Sequence, residues 1–237
     1  KSSRAKILEF EGTGSVNFDG TNDAVEVTPS TAIKNASEGT ITLWFKIGGD
    51  AGANMALMSL NDVSDSDFCT IRLLRGSPTS FNLSFRCYVG SSLLYAINST
   101  NMMDNKWHHV AMVVDTSGNR MYVDGINVAL SYSEGGQSSS TQKFFSDVSD
   151  ADLFTIGCTK NSLGHQNDFK GNISQVGIWN RGLSASEIQN IMYKTYSDLE
   201  GTELTHLQAW WKLDGEVGSD GNAGSGYILD EVSGVGS

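Results

Sequence analysis

Hydrophobic and polar residues alternate along most of this chain in runs that are short enough to be single β-strands. In residues 40–47, for example, Ile41, Leu43 and Phe45 fall on one face of the run. A period of two is typical of a strand that covers a core on one side. Similar runs occur at residues 15–18, 24–27, 55–60, 68–74, 81–89, 93–97, 107–115, 120–123, 127–130, 152–157, 171–180 and 207–213. The pattern predicts an all-β protein built from antiparallel sheets.

One stretch has helical periodicity instead. Ser184 is a good N-cap residue, and Glu187, three positions later, completes a capping box. Ile188, Ile191 and Met192 then recur at helical spacing, which gives the helix a single apolar face. Because the rest of the chain has the pattern of strands, we expect one short helix that packs on a sheet and caps it.

Composition indicates one large domain. The chain has 237 residues, of which 26 are Gly and 2 are Pro, and 39% are hydrophobic. This suits many short strands joined by tight turns around one core. We place the domain at residues 1–213 and a Gly-rich C-terminal tail at 214–237. We expect the tail to pack on the domain or to form a junction with a further segment or subunit. The polar, Ser-rich residues 131–150 are predicted to be a long exposed loop.

The charge balance excludes some partners. The net charge is −11, from 27 acidic and 16 basic residues. A protein that binds the phosphate backbone needs clustered Lys and Arg, so we expect no nucleic acid partner. No run of about 18 apolar residues is present, so we expect no membrane span.

The three cysteines, Cys69, Cys87 and Cys158, are an odd number without CxxC spacing. Each falls in a strand-like run, where cysteine commonly behaves as a small hydrophobic residue. We expect three buried thiols, with a bridge between Cys69 and Cys87 as the alternative. Buried thiols fit folding in a reducing compartment.

Four segments carry a family resemblance. The string GNISQVGIWNRGLSASEI at residues 171–188 resembles the last strand and cap helix of laminin-G-like and pentraxin-like domains, which belong to the concanavalin A-like lectin/glucanase superfamily. The strings SVNFDGTNDAVEV at 15–27, TITLWFKI at 40–47 and KWHHVAMVVDTSGNRMYVDGINVA at 106–129 agree with it and come in the family's order. The resemblance implies an antiparallel jelly-roll β-sandwich with one short cap helix.

The resembling fold hosts lectins, adhesion modules, glycosidases and structural domains, so function depends on the sites. Glycosidases of this fold carry a Glu-x-Asp-x-Glu strand, and the sequence contains no such triplet. A G-x-S-x-G nucleophile turn is also missing. His108 and His109 are adjacent on a predicted strand, so their rings point to opposite faces and cannot share a ligand. We expect no enzymatic activity, and a glycoside hydrolase is the least favoured alternative.

Calcium is the cofactor that the resemblance suggests, because Ca²⁺ takes carboxylate, amide and carbonyl oxygens from loops. One candidate loop carries Asp65 and Asp67, and another carries Asn161 and Asp168 just before the strand that leads to the cap helix. In pentraxins the corresponding loops hold calcium. The sequence departs from the pentraxin acidic cluster at residues 160–165, which include a lysine and a histidine.

A second calcium candidate resembles the structural site of laminin-G-like domains. It consists of Asp19, Asn22 and Asp23, with the tail carboxylate of Asp214. For both candidates the alternative is that Asp and Asn occupy turns because their side chains bond to backbone groups there.

Glycan binding would require an exposed aromatic surface with polar neighbours. The five tryptophans fall in predicted strands and are mostly core by pattern. Trp210 and Trp211 are adjacent and must face opposite ways, which makes one of them a candidate for exposure. Tyr88, Tyr95 and Tyr132 are the other candidates.

We interpret the chain as a recognition or structural module without catalytic activity. Domains that end in IWNRGLSASEI followed by W-x-L-D resemble those of bacteriophage structural proteins and bacterial surface proteins. The first expectation is a virion structural protein, as a capsid decoration, a fibre or a receptor-facing appendage on the virion surface. Its partners would be other virion or surface-assembly proteins and cell-surface glycans, and it would form a homo-oligomer or dock on a larger assembly. The alternative is a secreted or cell-surface calcium-dependent lectin or adhesin.

Overall fold

The computed structural model describes residues 14–133, 136–213 and 230–232. Its strands are β1 (Val16–Asp19), β2 (Val25–Val27), β3 (Gly39–Ile47), β4 (Met55–Asp62), β5 (Asp67–Ser77), β6 (Ser80–Val89), β7 (Ser91–Asn101), β8 (His108–Asp115), β9 (Gly118–Val123), β10 (Ile126–Val128), β11 (Ser131–Tyr132), β12 (Leu153–Ile156), β13 (Thr159–Asn161), β14 (Gly164–Gln166), β15 (Lys170–Trp179) and β16 (Leu207–Trp211). The helices are α1 (Thr31–Lys34) and α2 (Ala185–Ile191), and there are 3₁₀ turns at Phe145–Asp147, Tyr196–Asp198 and Gly201–Glu203.

Two antiparallel sheets form the sandwich. The first sheet has the order β1-β15-β3-β8-β9-β10, with β16 also paired to β15. The second sheet has the order β11-β7-β6-β5-β4-β12-β2, and β13 and β14 form a separate hairpin. Side chains from both sheets, such as Phe45 of β3 and Phe85 of β6, meet in one hydrophobic core. The predicted jelly-roll β-sandwich is confirmed.

The cap helix lies on the outer face of the first sheet. Ser184 Oγ accepts a hydrogen bond from the Glu187 amide at 3.3 Å, and the Glu187 carboxylate accepts one from the Ser184 amide at 2.8 Å. Ile188 and Ile191 of α2 then pack in a second cluster with Trp179 of β15. The predicted capping box and apolar helix face are both confirmed. The one-turn helix α1 was not predicted.

The prediction of a long exposed loop at residues 131–150 is wrong for its second half. Phe144 and Phe145 are fully buried, with ring centroids 4.3 Å apart, and Val148 is buried beside them. The prediction followed the polar composition of the segment, whereas these three apolar side chains belong to the core. The strand β11 at the start of the segment was also missed.

All three cysteines are buried and free, as the favoured prediction stated. Cys69 and Cys87 are directly opposite each other on β5 and β6. Within the described parts of the chain, no helix is long and apolar enough to cross a membrane.

The boundary at residue 213 stays a prediction, because residues 214–229 and 233–237 lie outside the described part of the chain. In the short described piece of the tail, the Asp230 carboxylate accepts a hydrogen bond from the Trp210 amide at 3.0 Å. Glu231 forms an ion pair with Lys212 at 3.0 Å. Asp230 and Glu231 of the tail therefore contact β16 and the residue that follows it.

Candidate functional site

The strands β5 and β6 place two sets of side chains on opposite faces of the second sheet. On β5, Cys69 and Ile71 belong to the core. Since successive strand residues point to opposite faces, Phe68 and Arg72 point away from the core. The outer face of β5, β6 and β7 carries a group that we call the arginine–aromatic patch: Phe68, Arg72, Arg86, Tyr88 and Tyr95.

The pairing register of β5, β6 and β7 brings the members of the patch together. Phe68 lies opposite Tyr88, and Arg86 lies opposite Tyr95 across the next strand pair. The rings of Phe68 and Tyr88 are stacked, with centroids 5.5 Å apart. The patch is therefore a product of cross-strand pairing and joins residues from three strands.

Aromatic rings surround the guanidinium of Arg86. Its Cζ lies 4.7 Å from the Tyr88 ring centroid, 4.9 Å from that of Tyr95 and 5.8 Å from that of Phe68. A cation over an aromatic face is attracted by the negative face of the ring. These contacts hold the Arg86 side chain at the outer face of the sheet.

Arg72 is 7% exposed, although it is charged. Its Nη2 donates a hydrogen bond to the Tyr95 hydroxyl at 2.9 Å, while its Nε is buried without a hydrogen-bond partner. Burial lowers the pKa of Arg72, and the nearby charge of Arg86 lowers it further, against the effect of Tyr95.

The patch can therefore hold a negatively charged group next to flat apolar surfaces. An arginine guanidinium presents N–H donors in a planar fork that matches a carboxylate. The aromatic rings offer surfaces on which the apolar face of a ring-shaped ligand can stack.

Three residues of the first predicted calcium set make local hydrogen bonds. Asp67 Oδ1 accepts a hydrogen bond from the Gly90 amide at 2.9 Å, whereas Asp65 donates its amide to Asp62 Oδ1 at 3.3 Å. Asn161 Oδ1 accepts from the Leu163 amide at 2.9 Å. Each of these contacts is local bonding in a turn or between neighbouring strands. Calcium at this set stays a prediction.

The second predicted set forms the turn between β1 and β2. Asp19 Oδ1 accepts from the Thr21 amide at 2.6 Å, and Asp23 Oδ2 accepts from the Asp19 amide at 2.9 Å. Asn22 has a φ of 58°, a conformation that asparagine tolerates well. Asp214 lies outside the described residues. Calcium at this set also stays a prediction.

The histidine pair is divided between two environments, as predicted. His108 is held by Asp124 at 2.9 Å and Asp104 at 3.0 Å, and its pKa is raised by these hydrogen bonds, chiefly the one to Asp124. His109 is buried on the other face, where burial lowers its pKa to about 4.

The structure places the aromatic candidates for glycan binding in different environments. Tyr88 and Tyr95 belong to the patch, whereas the Tyr132 hydroxyl donates to Asn119 at 2.7 Å, and Tyr132 packs against the core. Trp210 and Trp211 face opposite ways, but both are buried, so the suggestion that one is exposed is wrong. Trp210 is buried because it belongs to the second cluster, in which α2 packs on the outer face of the first sheet.

Sequence analysis missed Phe68, Arg72 and Arg86. A signal was present in the polar and aromatic residues at alternate positions 68, 70 and 72 and again at 84, 86 and 88. Their common surface depends on which strand positions lie opposite each other, and only the structure gives that register.

A family model described as the concanavalin A-like lectin/glucanases superfamily matches residues 19–189. The match spans most of the chain, so the chain belongs to this superfamily. The resemblance found in the sequence is thereby confirmed. No curated protein matched the sequence.

Several solved structures share the fold at low sequence identity. A candidate carbohydrate binding protein from Bacteroides ovatus is 18% identical with a TM-score of 0.65, over 94% of this chain and 56% of that one. This chain therefore spans little more than half of that protein. The CBM40 of Ruminococcus gnavus IT-sialidase, bound to α2,3-sialyllactose, is 16% identical with a TM-score of 0.58, over 75% of this chain and 96% of that one. A heptameric SAP-like pentraxin from Limulus polyphemus is 15% identical with a TM-score of 0.54, over 85% and 92%.

Proposed function

We propose that this protein is a lectin-like module that binds acidic glycans at the arginine–aromatic patch. The observation that carries the proposal is the cationic pair Arg72 and Arg86 set among three aromatic rings on the outer face of one sheet. Sugars with a carboxylate, such as sialic acids, combine a negative group with a ring that can stack on an aromatic side chain. The chain as a whole has a net charge of −11, whereas both charged side chains of the patch are arginines.

The comparison with a sialyllactose-bound CBM40 supports the same class of ligand. Its sugar carries a carboxylate, which is the group that a pair of guanidinium groups recognises best. The similarity to this CBM40 is a similarity of fold. The ligand class proposed for this chain therefore rests on its own arginines.

The proposal is binding without catalysis. Glycosidases use a pair of carboxyl groups, one of which protonates the leaving oxygen. None of the five patch residues carries a carboxyl group, and the arginines stay protonated and cannot supply that proton. A patch of this kind holds a sugar and leaves its bonds intact.

We also propose that the module works on the surface of a virion, as a decoration, fibre or receptor-facing appendage. The three buried free thiols support folding in a reducing compartment such as a host cytosol. A secreted or cell-surface adhesin is the alternative. Imaging of the native assembly tests the virion role, and light scattering tests the expected homo-oligomer.

Binding of 3′-sialyllactose, measured by calorimetry, tests the glycan proposal. We expect binding to sialyllactose and much weaker binding to lactose, which lacks the acidic sugar. Arg86→Gln should weaken binding of sialyllactose roughly 10-fold or more, because a hydrogen bond to a charged group contributes about 1.5–3 kcal/mol.

Arg75→Gln is the matched control. Arg75 lies on the same strand β5 but pairs with Asp50 at 2.7 Å, away from the patch. Equal affinity for the two sugars, or equal losses in the two variants, would contradict the proposal.

A further inference from the structure

Three side chains with different donor atoms converge beside β12. Cys158 follows this strand, His165 lies on β14, and Asp168 directly precedes Phe169 and β15. One ligand atom from each lies within 4.8 Å of the others, and Cys158 is fully buried. Among the described residues, this is the one such convergence of three or more His, Cys, Asp or Glu side chains.

Two of these donor atoms, His165 Nδ1 and Asp168 Oδ1, are buried without a hydrogen-bond partner and lie 3.9 Å apart. Buried polar atoms are normally satisfied, because leaving one without a partner costs about 1–3 kcal/mol. Two such atoms beside a buried thiol form a set of donors that one bound ion could satisfy together.

A further carboxylate fixes the histidine ring. Glu26 Oε1 lies 2.7 Å from His165 Nε2 and also accepts from Lys160 Nζ at 2.7 Å. A carboxylate can only accept, so the neutral ring donates from Nε2 and keeps its Nδ1 lone pair for the cluster. Histidines that bind metals are commonly oriented by a carboxylate in this way.

The chemical types of the three donor atoms favour zinc over calcium. A thiolate, an imidazole and a carboxylate suit Zn²⁺, whereas Ca²⁺ takes oxygen ligands. In a tetrahedral zinc site the donor atoms are roughly 3.4–3.6 Å apart, so atoms that now lie within 4.8 Å of one another need to approach by up to about 1.4 Å. Three protein ligands would leave one position for water or another ligand.

We propose that Cys158, His165 and Asp168 bind a zinc ion, with Glu26 as the group that orients His165. The metal ties the β13–β14 hairpin to the end of β12 and the start of β15. The hairpin covers β4, where the Lys160 amide donates to Asn61 at 3.3 Å. Asn61 lies opposite Phe68 of the patch, so the metal fixes a hairpin that lies one strand away from the proposed glycan site.

Titration of the metal-free protein with Co²⁺, followed by competition with Zn²⁺, tests the proposal. We expect one ion per chain, a thiolate-to-cobalt charge-transfer band in the near ultraviolet, and displacement by Zn²⁺ but not by excess Ca²⁺. Cys158→Ser should remove the band and Cys87→Ser, which changes another buried thiol, should keep it. Thermal unfolding of each variant without metal shows whether it is folded.

Two substitutions nearer the surface keep the test decisive if Cys158→Ser does not fold. Asp168→Asn should abolish tight zinc binding, and Glu26→Gln should weaken it about 10- to 100-fold. Asp65→Asn, in the β4–β5 turn, should bind zinc like the natural protein. Wild-type protein that binds no more zinc than Asp168→Asn would overturn the proposal and leave the cluster as an ion-pair network only. Because the readout involves no sugar, failure here leaves the glycan proposal intact.

Discussion

Phe144→Ala should lower the free energy of unfolding by about 3–5 kcal/mol, the usual cost of removing a buried phenylalanine. The side chain is fully buried, its ring stacks on Phe145, and it lies 6.3 Å from the ring of Phe85 in the second sheet. The substitution would leave a cavity in the core, although the residue lies in a segment of polar composition. Urea unfolding followed by tryptophan fluorescence measures the change.

Leu163→Ala is the control for this measurement. Leu163 is 86% exposed in the turn between β13 and β14, so its truncation should change stability by about 0.5 kcal/mol or less. A loss below about 1 kcal/mol for Phe144→Ala would mean that residues 141–151 are not part of the core.

His109→Phe should make the protein less sensitive to acid between about pH 6.5 and about pH 4. Burial lowers the pKa of His109 to about 4, with Asp124 acting weakly in the opposite direction. The unfolded chain takes up the proton near pH 6.5 and the folded chain only near pH 4, so His109 costs stability as pH falls through this window. Over the whole window the loss amounts to about 3 kcal/mol.

His108 changes the pH dependence of stability in the opposite direction to His109. Its pKa is raised by Asp124 and Asp104, so its stabilising contribution is complete below about pH 6.5 and is lost as pH rises through the raised value. The difference in stability between wild type and His109→Phe isolates the His109 contribution, because His108 is present in both proteins. We expect this difference to change by about 3 kcal/mol between pH 7 and pH 4.

The surface variant His206→Gln is the control for losing a histidine. Stability curves against pH that run parallel for wild type and His109→Phe would show that His109 is not buried as described. The Trp44 ring, 5.4 Å from that of His109, should pack equally well against phenylalanine.

The sequence predicted those features that depend on neighbours along the chain. Alternation in residues 40–47 located β3, and the spacing of Ser184 and Glu187 located the start of α2. Both signals are local, since a strand has a period of two and a capping box spans four residues. The antiparallel sandwich then followed from the family resemblance.

The candidate site depends on contacts that no local pattern contains. Arg86 meets Tyr95 because β6 and β7 pair in one register, and a shift by one residue would turn Tyr95 toward the core. Asp168 was assigned to a calcium set with Asn161, and its position beside Cys158 and His165 could not be predicted from their spacing in the sequence. Phe144 was assigned to a loop because its neighbours are polar.

A crystal structure of the protein with 3′-sialyllactose is the most direct test of the central claim. We predict that the sugar lies on the outer face of β5, β6 and β7, with its carboxylate within hydrogen-bond distance of Arg72 or Arg86 and its ring against Tyr88 or Tyr95. A sugar bound instead at the loops that carry Asp65 or Asp19, through a calcium ion, would contradict it.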